Sequence, residues 1–182
     1  MKYSEKIVLK DGREALIRNG EASDGEAVFE VFNRTHGETD YLLSYPDENS
    51  FDVEGEGRFL QSMTDSSNGI ELVAVVDGKV VGTAGIGAVG KKYKVRHRAE
   101  FGIGILKDYW GLGLGKALAK ACITCAKEAG YEQLELNAVS GNERAISLYE
   151  SVGFKEYGRN PKGFRSRIAG WQELVLMRLE LE

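Results

Sequence analysis

The 182-residue sequence has few of the features that mark secreted, membrane-spanning or nucleic-acid-binding proteins. It contains two cysteines and two prolines, and its apolar runs all fall short of the roughly 20 residues that a membrane span needs. The formal net charge of −4 argues against a broad electrostatic interaction with nucleic acid. The N-terminal segment MKYSEKIVLKDGRE has no apolar stretch typical of a secretory signal. We therefore expect a cytoplasmic protein with no membrane and no nucleic-acid partner.

Two local patterns need separate explanations. The basic segment KKYKVRHR, residues 91–98, is interpreted as a solvated hairpin loop, because a nucleic-acid face normally draws basic residues from several elements. Cys122 and Cys125 form a C-x-x-C pattern, which in redox proteins stands at a helix start. Here the pattern lies inside a helix, so both cysteines are expected to pack as small apolar residues. No ligand cluster with metal-site spacing is visible, and no metal is expected.

Hydrophobic periodicity predicts a single domain over residues 1–182 with the element order β-α-α-β-β-β-α-β-α-β-β. Ser23 stands three residues before Glu26, which predicts a capping box at the start of the first helix. The pair Asp77-Gly78 between two β-rich runs predicts a hairpin. The predicted strands cover residues 14–20, 69–76, 79–89, 98–106, 131–139, 154–159 and 171–181, and the predicted helices cover 23–35, 53–65, 114–129 and 142–152.

The segment YWGLGLGKALAK, residues 109–120, has three alternate glycines before an alanine-rich helix. A Walker A loop is excluded because Trp110 and Ala117 stand where that motif needs glycine and a hydroxyl residue. The spacing of a dinucleotide-binding fingerprint also fails. The remaining interpretation is a loop whose backbone approaches a pyrophosphate at the helix N-terminus, with Lys116 adding a positive charge. Taken alone, the glycines are equally compatible with a structural turn.

A second motif, NERAISLYESVGF, follows the predicted strand LELNAV. Together the two motifs resemble the GNAT superfamily of acyl-CoA-dependent N-acetyltransferases. The phosphate loop of that family, Gln/Arg-x-x-Gly-x-Gly/Ala, corresponds to residues 110–115, although Trp110 replaces the usual polar residue and its side chain is not expected to contact phosphate. The second motif matches at Asn142, Ala145, Leu148, Tyr149, Gly153 and Phe154. The resemblance implies an α/β (α+β) fold with a mixed, mostly antiparallel sheet flanked by helices.

The resemblance also implies that acetyl-CoA is the acyl donor. Its pantetheine arm is expected to pair with the backbone of Ile103, Gly104 and Ile105. Close approach of such an arm explains glycines inside this strand, although a β-bulge is an alternative. Asn142 is either a ligand of the arm or the N-cap of its helix. The residues expected to meet the pyrophosphate are Gly111, Leu112, Gly113, Leu114, Gly115 and Lys116.

Two residues are the candidates for proton transfer. Tyr149 matches the family tyrosine that donates a proton to the leaving thiolate, while a buried packing tyrosine is the alternative. A free alkyl amine has a pKa near 10.4, so a group or a water molecule has to accept a proton before the amine attacks. Glu100 matches a position where some members of the family carry the base. Other members carry it at the position of Asn137, and an asparagine cannot accept the proton, which favours Glu100. A structural carboxylate explains Glu100 equally well. His97 and His36 are further candidates for this role.

The predicted reaction is acetyl transfer from acetyl-CoA to a primary amine by direct attack in a ternary complex. The alternative is an acyl-CoA-binding sensor without turnover. The acceptor side is expected to come from residues 33–52, the loop at 91–98 and the last hairpin. The acidic residues of the first of these regions would attract a cationic amine, although solvated side chains explain them as well: Glu38, Asp40, Asp47 and Glu48. The resemblance and the apolar segment ELVLM favour a homodimer.

Overall fold

The computed structural model describes residues 1–181, and one eight-stranded sheet runs through them. The strands are β1 (Ser4–Val8), β2 (Glu14–Asn19), β3 (Ile70–Val76), β4 (Lys79–Ala88), β5 (Arg98–Ile105), β6 (Gln133–Val139), β7 (Lys155–Ser166) and β8 (Gly170–Glu180). The helices are α1 (Gly25–Glu38), α2 (Val53–Asp65), α3 (Leu114–Glu128) and α4 (Glu143–Ser151). The expected fold class, a mixed sheet flanked by helices in one domain, is confirmed.

The strand order across the sheet is β1-β2-β3-β4-β5-β6-β8-β7. Among the described strands, β5 and β6 form a parallel pair and the other neighbours are antiparallel. A parallel pair requires a crossover connection, and α3 supplies it. The glycine-rich loop, residues 110–115, follows a 3₁₀ turn (Lys107–Tyr109) after β5 and runs into the first turn of α3.

The helices cover both faces of this sheet. Phe101 of β5 packs against Tyr149 of α4, with ring centroids 6.0 Å apart. A Cβ placed on Gly104 would lie 3.5 Å from the hydroxyl of Thr35 in α1. Because alternate residues of a strand face opposite sides, α4 and α1 lie on opposite faces of β5. The larger apolar core lies on the α3 side, and a smaller one lies under α1 and α2, formed by Val28, Leu60 and Val73.

Several local predictions are confirmed. Asp77 and Gly78 both have positive φ, 51° and 74°, as a two-residue hairpin turn of the primed type requires. Cys122 and Cys125 are free, buried members of the core face of α3. Residues 89–97 connect the antiparallel strands β4 and β5, so the basic segment is a hairpin loop.

The predicted start of the first helix is wrong. A short 3₁₀ turn, Ala22–Asp24, precedes α1, which begins at Gly25. The capping bond comes from Asp24, whose carboxylate accepts the N–H of Glu21 at 2.9 Å and also binds Arg18 through two hydrogen bonds. Asp24 is thus the N3 carboxylate of a capping box on the 3₁₀ turn, and as the N-cap residue of α1 it makes no side-chain cap hydrogen bond.

Two strand predictions also need correction. β1 was missing from the predicted element order, because its largely exposed side chains show no apolar alternation. β7 continues to Ser166 rather than ending at Arg159. Its register is irregular between Asn160 and Phe164, where Pro161 lies, and an edge strand tolerates proline at such a position.

The apolar segment ELVLM has an intramolecular explanation. It lies in β8, between β6 and β7, and Leu174, Val175 and Met177 are buried there. The homodimer stays a prediction, but this segment no longer supports it. Separately, no helix within the described residues combines the length and apolarity needed to cross a membrane.

Candidate active site

The central feature of the site is a gap between β5 and β6. The two strands pair in three rows, Arg98 with Gln133, Ala99 with Leu134 and Glu100 with Glu135. Beyond the third row β5 continues to Ile105 and β6 to Val139, but the two strands no longer pair with each other. The divergence opens the sheet at its centre, and a cavity of about 1120 Å³ occupies the opening.

The register of β5 decides which backbone groups face the gap. The N–H of Leu106 donates to Val81, and the N–H of Val89 donates to Arg98, so even-numbered residues of β5 bond to β4. The N–H and C=O groups of Ile103 and Ile105 consequently point toward the gap. Gly104 pairs with β4, and its contribution to the cavity is the absence of a side chain.

The glycine-rich loop presents a row of backbone donors at one end of the cavity. Gly111 and Gly113 have φ of 80° and 93°, a region that favours glycine, and Gly113 is the N-cap of α3. The N–H groups of residues 113–116 donate no hydrogen bond to any group within residues 1–181. The first amides of a helix lack intrahelical partners and carry the positive end of its dipole, so they are able to bind an anion.

The three non-glycine residues predicted to meet the pyrophosphate, Leu112, Leu114 and Lys116, differ in burial. The side chain of Leu114 is fully buried in the core and that of Leu112 packs against the core, so only their backbone groups are available to a ligand. Lys116 is exposed and lines the cavity. Gly115 packs closely, since a Cβ there would lie 3.1 Å from a methyl group of Leu148.

Trp110 has a structural role that the sequence did not indicate. Its indole N–H donates to the carbonyl oxygen of Ile105 at 2.7 Å, which fastens the loop to the end of β5. The guanidinium of Arg144, in the first turn of α4, lies 5.2 Å from the centre of the indole ring. The tryptophan therefore links β5, the glycine-rich loop and α4.

Two cations at the same end were missed by the sequence analysis. Lys10 lines the cavity from the β1–β2 turn, where its N–H donates to the carbonyl of Leu112 at 3.1 Å. Arg144 lines the cavity from α4. Together with Lys116 they surround the free amides with positive charge. Arg144 lies inside the second motif, NERAISLYESVGF, although not at one of its matching positions. Nothing in the sequence near Lys10 points to its position, which depends on a contact across about 100 residues.

Tyr149 lines the cavity from the α4 side. Its ring packs against Phe101 and Phe154, and burial raises the pKa of its hydroxyl to about 12. The hydroxyl forms no hydrogen bond with the described residues. Its oxygen keeps some accessible surface, because no fully buried polar side-chain atom among these residues lacks a partner. It is therefore open to the cavity and protonated at neutral pH. Asn142 caps α4, with its side-chain oxygen accepting the N–H of Ala145 at 3.3 Å, and it also lines the cavity.

Glu100 enters the same cavity from the opposite face of the sheet, at the last paired row before the strands separate. Its carboxylate is exposed and has no hydrogen-bond or ion-pair partner within residues 1–181. Glu135, its neighbour on β6, is buried and held by two hydrogen bonds from Arg98. The carboxylate of Glu135 therefore has a structural role, whereas that of Glu100 has no partner among the described residues.

The two histidines do not line the cavity. His36 stacks on Phe32, and its Nδ1 lies 2.8 Å from the Phe32 carbonyl oxygen. Burial lowers the pKa of His36. His97 uses its carbonyl oxygen to pair with the start of β6. The geometry favours Glu100 over both as a group that contacts a ligand.

The end of the cavity expected to receive the acceptor lies between the α1–α2 loop and the β7–β8 hairpin, and the 91–98 loop predicted for it does not line the cavity. Its lining residues are Thr35, Thr39, Tyr41, Leu42, Leu43, Asn137, Tyr157 and Phe164.

The acidic residues of the α1–α2 loop are engaged in structural bonds rather than free to attract an amine. Asp40 accepts from Ser166 at 2.5 Å and from Tyr45 at 2.9 Å. The other three have partners as well: Glu38 binds the N–H of Lys107, Asp47 binds Arg167, and Glu48 binds Arg167 and the N–H of Tyr45.

Comparisons with known proteins agree with this architecture. The model of the acetyltransferase (GNAT) family matches residues 27–154, a range that includes both sequence motifs. An acetyltransferase of the GNAT family from Streptococcus pneumoniae is 31% identical, with a TM-score of 0.87 over 92% of this chain and 99% of that chain. The chain belongs to the GNAT family of acetyltransferases, which transfer acetyl groups from acetyl-CoA.

Two further relatives match along most of their length. The yncA structure from Salmonella typhimurium, a putative acetyltransferase solved with its cofactor acetyl-CoA, is 23% identical, with a TM-score of 0.81 over 92% of this chain and 94% of that chain. The L-amino acid N-acyltransferase MnaT of Escherichia coli is 24% identical over 166 residues, which cover 91% of this chain and 94% of that protein.

Proposed function

We propose that this protein transfers an acetyl group from acetyl-CoA to a primary amine by direct attack in a ternary complex. One observation carries the proposal: Tyr149 and Glu100 reach a single cavity from opposite faces of the sheet, at the point where β5 and β6 separate. A proton donor and a proton acceptor on opposite sides of the reacting centre suit an acyl transfer in which one proton leaves the amine and another reaches the sulfur.

The residues present fit acetyl-CoA as the acyl donor. The free amides of residues 113–116, with Lys10, Lys116 and Arg144, would hold its phosphates. The backbone groups of Ile103 and Ile105 would pair with its extended arm, and the lack of a side chain at Gly104 leaves room beside them. When bound there, the donor supplies an activated thioester.

The proposed proton transfers balance. The amine nitrogen forms a bond to the thioester carbon, and the carbon–sulfur bond breaks. Glu100, directly or through water, accepts the proton that the nitrogen loses. Tyr149 donates its hydroxyl proton to the departing sulfur, which is feasible because burial keeps the pKa of this tyrosine at about 12. Solvent then restores both residues to their starting protonation states.

Steady-state release of CoA thiol with a panel of primary amines tests the proposal. We expect amine-dependent thiol release well above the rate of acetyl-CoA hydrolysis, with acetylated amine formed in equal amount. Tight binding of acetyl-CoA without release in the presence of any amine would instead favour the non-catalytic sensor and contradict the proposed activity.

A further inference from the structure

The charged residues that line the cavity are sorted by sign. Lys10, Lys116 and Arg144 all lie around the glycine-rich loop, as the contacts of Lys10 with Leu112 and of Arg144 with Trp110 show. The opposite end, between the α1–α2 loop and the β7–β8 hairpin, has no lysine or arginine in its lining among residues 1–181. The cations of the lining therefore lie where the phosphates of the acyl donor are proposed to bind, and none is left for an acceptor.

The acceptor end carries one uncompensated negative charge. Glu135 is neutralised by its two hydrogen bonds from Arg98, whose guanidinium does not line the cavity. Glu100 has no ion-pair partner within the described residues. Arg98, which binds Glu135, lies close enough to Glu100 for the two charges to interact, so the three groups together carry one net negative charge. An ammonium group entering this end is attracted to that charge, whereas a carboxylate is repelled by it and finds no cation among the described residues that line the cavity there.

The walls of the acceptor end are apolar. Tyr41, Leu42 and Leu43 contribute from the α1–α2 loop, and Tyr157 and Phe164 contribute from β7. Leu43 is 82% exposed and adds an apolar side chain to this lining. Aromatic and aliphatic walls of this kind bind a hydrocarbon body.

Hydrogen bonds tie the two walls together at the mouth of the cavity. Asp40 accepts from Ser166, the backbone N–H of Arg167 donates to the hydroxyl of Tyr45 at 2.8 Å, and Arg167 binds Asp47. These contacts join the α1–α2 loop to the β7–β8 hairpin and so bridge the two walls. A bridge between the walls favours a small acceptor over a polypeptide that runs between them.

We propose that the acceptor is a small primary amine on an aromatic or alkyl body, with no carboxylate beside the amine. This inference rests on the proposed acetyltransferase function and narrows its substrate. The ammonium group faces Glu100, and the hydrocarbon body packs between Tyr41, Leu43, Tyr157 and Phe164. The ammonium gives one proton to Glu100, which passes it to solvent, and the neutral amine then attacks the thioester. The nitrogen loses its second proton to Glu100 as the amide forms, while Tyr149 protonates the departing sulfur. A free amino acid is disfavoured by the repulsion between its carboxylate and Glu100.

Three acceptors with the same body isolate the effect of the carboxylate: phenethylamine, phenylalanine amide and phenylalanine. The measurement is kcat/KM for CoA thiol release at saturating acetyl-CoA. We expect phenethylamine and phenylalanine amide to exceed phenylalanine by about 10²-fold, the usual scale of an uncompensated like-charge contact. A peptide with a free N-terminal phenylalanine is expected to react more slowly than the amide.

An arginine introduced at the mouth supplies the missing cation. Leu43→Arg is expected to narrow the ratio between phenylalanine amide and phenylalanine about threefold, the scale of one exposed ion pair. Leu43→Gln, which removes the leucine without adding charge, should leave the ratio unchanged. Ile168→Arg is the matched control, because Ile168 is 83% exposed but does not line the cavity.

The outcomes separate this inference from the function on which it rests. Equal or faster acetylation of phenylalanine, or a preference for the peptide, would overturn the proposed substrate class and leave the acetyltransferase function intact. An equal change of the ratio in Leu43→Arg and Ile168→Arg would also overturn it. No thiol release with any amine, while acetyl-CoA binds in calorimetry, would contradict the proposed function itself.

Discussion

The proposed proton transfers depend on single side chains. Tyr149→Phe keeps the ring that packs against Phe101 and removes only the hydroxyl. We expect kcat to fall by about 10²–10⁴-fold if departure of the thiolate limits the rate, with little change in acetyl-CoA affinity. Single-turnover kinetics and calorimetry measure the two quantities.

Tyr131→Phe is the matched control for Tyr149→Phe. Tyr131 is also buried, but its hydroxyl donates to the carbonyl of Asn68 at 2.7 Å, away from the cavity. This variant should lose stability and keep kcat. Equal rates in Tyr149→Phe and the parent, with chemistry shown to limit turnover, would remove the proton-donor role.

The raised pKa of Tyr149 has a consequence for the pH profile. Because the folded-state pKa is about 12 and the ordinary value is 10.0, the hydroxyl stays protonated throughout the range in which free tyrosine begins to ionise. The stability contributed by this burial is complete below about pH 10 and is lost as the pH rises toward 12. Activity should therefore not decline between neutral pH and pH 10 through ionisation of this residue.

Glu100→Gln tests the other proton transfer. Removing the carboxylate should remove the acidic limb of the kcat/KM profile, while the rise toward high pH persists because the medium itself deprotonates the amine. Glu135→Gln is the comparison, since that carboxylate binds Arg98; it should lower stability and keep the acidic limb. Superimposable profiles for Glu100→Gln and the parent would leave water as the proton acceptor.

At the scale of the elements, the glycine-rich loop depends on backbone conformation. Gly113→Ala forces a side chain into φ of 93°, which costs about 1–2 kcal/mol in the left-handed region. We expect acetyl-CoA affinity to fall at least about tenfold, because relieving the strain turns the amides away from the phosphates. Calorimetry on the folded variant measures the loss.

Gly130→Ala separates strain from binding. Gly130 follows the C-terminal end of the same helix, has φ of 78° and does not line the cavity. Its substitution should destabilise the fold by a similar amount and leave acetyl-CoA affinity unchanged. A similar loss of affinity in both variants would show that the effect of Gly113→Ala is on α3 as a whole.

The sequence predicted the site better where function depends on local backbone than where it depends on distant contacts. The glycines and Tyr149 are predicted from short motifs with a recognisable spacing, and Glu100 from a family position on the strand before the glycine-rich loop; all of them line one cavity. Lys10 was missed because it joins the cavity through pairing of β1 with β2, and β1 has no apolar alternation.

The same reasoning explains the residues whose roles were misjudged. The sequence of the α1–α2 loop shows four carboxylates but not their partners on the β7–β8 hairpin and elsewhere, so their charge seemed available to an amine. For Trp110 the sequence predicts only that the side chain does not contact phosphate, because its acceptor, the carbonyl of Ile105, is visible only once the strand end is positioned. Hydrogen bonds between elements have no periodic signature.

At the scale of the whole molecule, the contacts at Asp40 hold the two walls of the acceptor end together. Asp40→Asn replaces one acceptor oxygen with a donor opposite Ser166 or Tyr45. We expect the free energy of unfolding to fall by about 1–3 kcal/mol, as for other partly buried polar groups that lose their partner. Urea denaturation measures the change.

Asp47→Asn is the control for this contact. It breaks the exposed ion pair with Arg167 on the same loop, and exposed pairs contribute little. Its unfolding midpoint should stay close to that of the parent. If both variants lose equal stability, the contacts of Asp40 contribute no more than the other contacts between the α1–α2 loop and the β7–β8 hairpin.

The narrow junction between β5 and β6 divides the sheet into two parts that meet through three rows of residues. Strands β1 to β5 form one part, and β6, β8 and β7 form the other. An extended ligand arm in the gap would contact both parts along the unpaired lengths of β5 and β6. Binding would therefore reduce the motion of one part relative to the other. Amide hydrogen exchange should then slow most at residues 103–105 and 136–139 when acetyl-CoA is added. Protection spread evenly over all eight strands would show instead that the two parts already move as one.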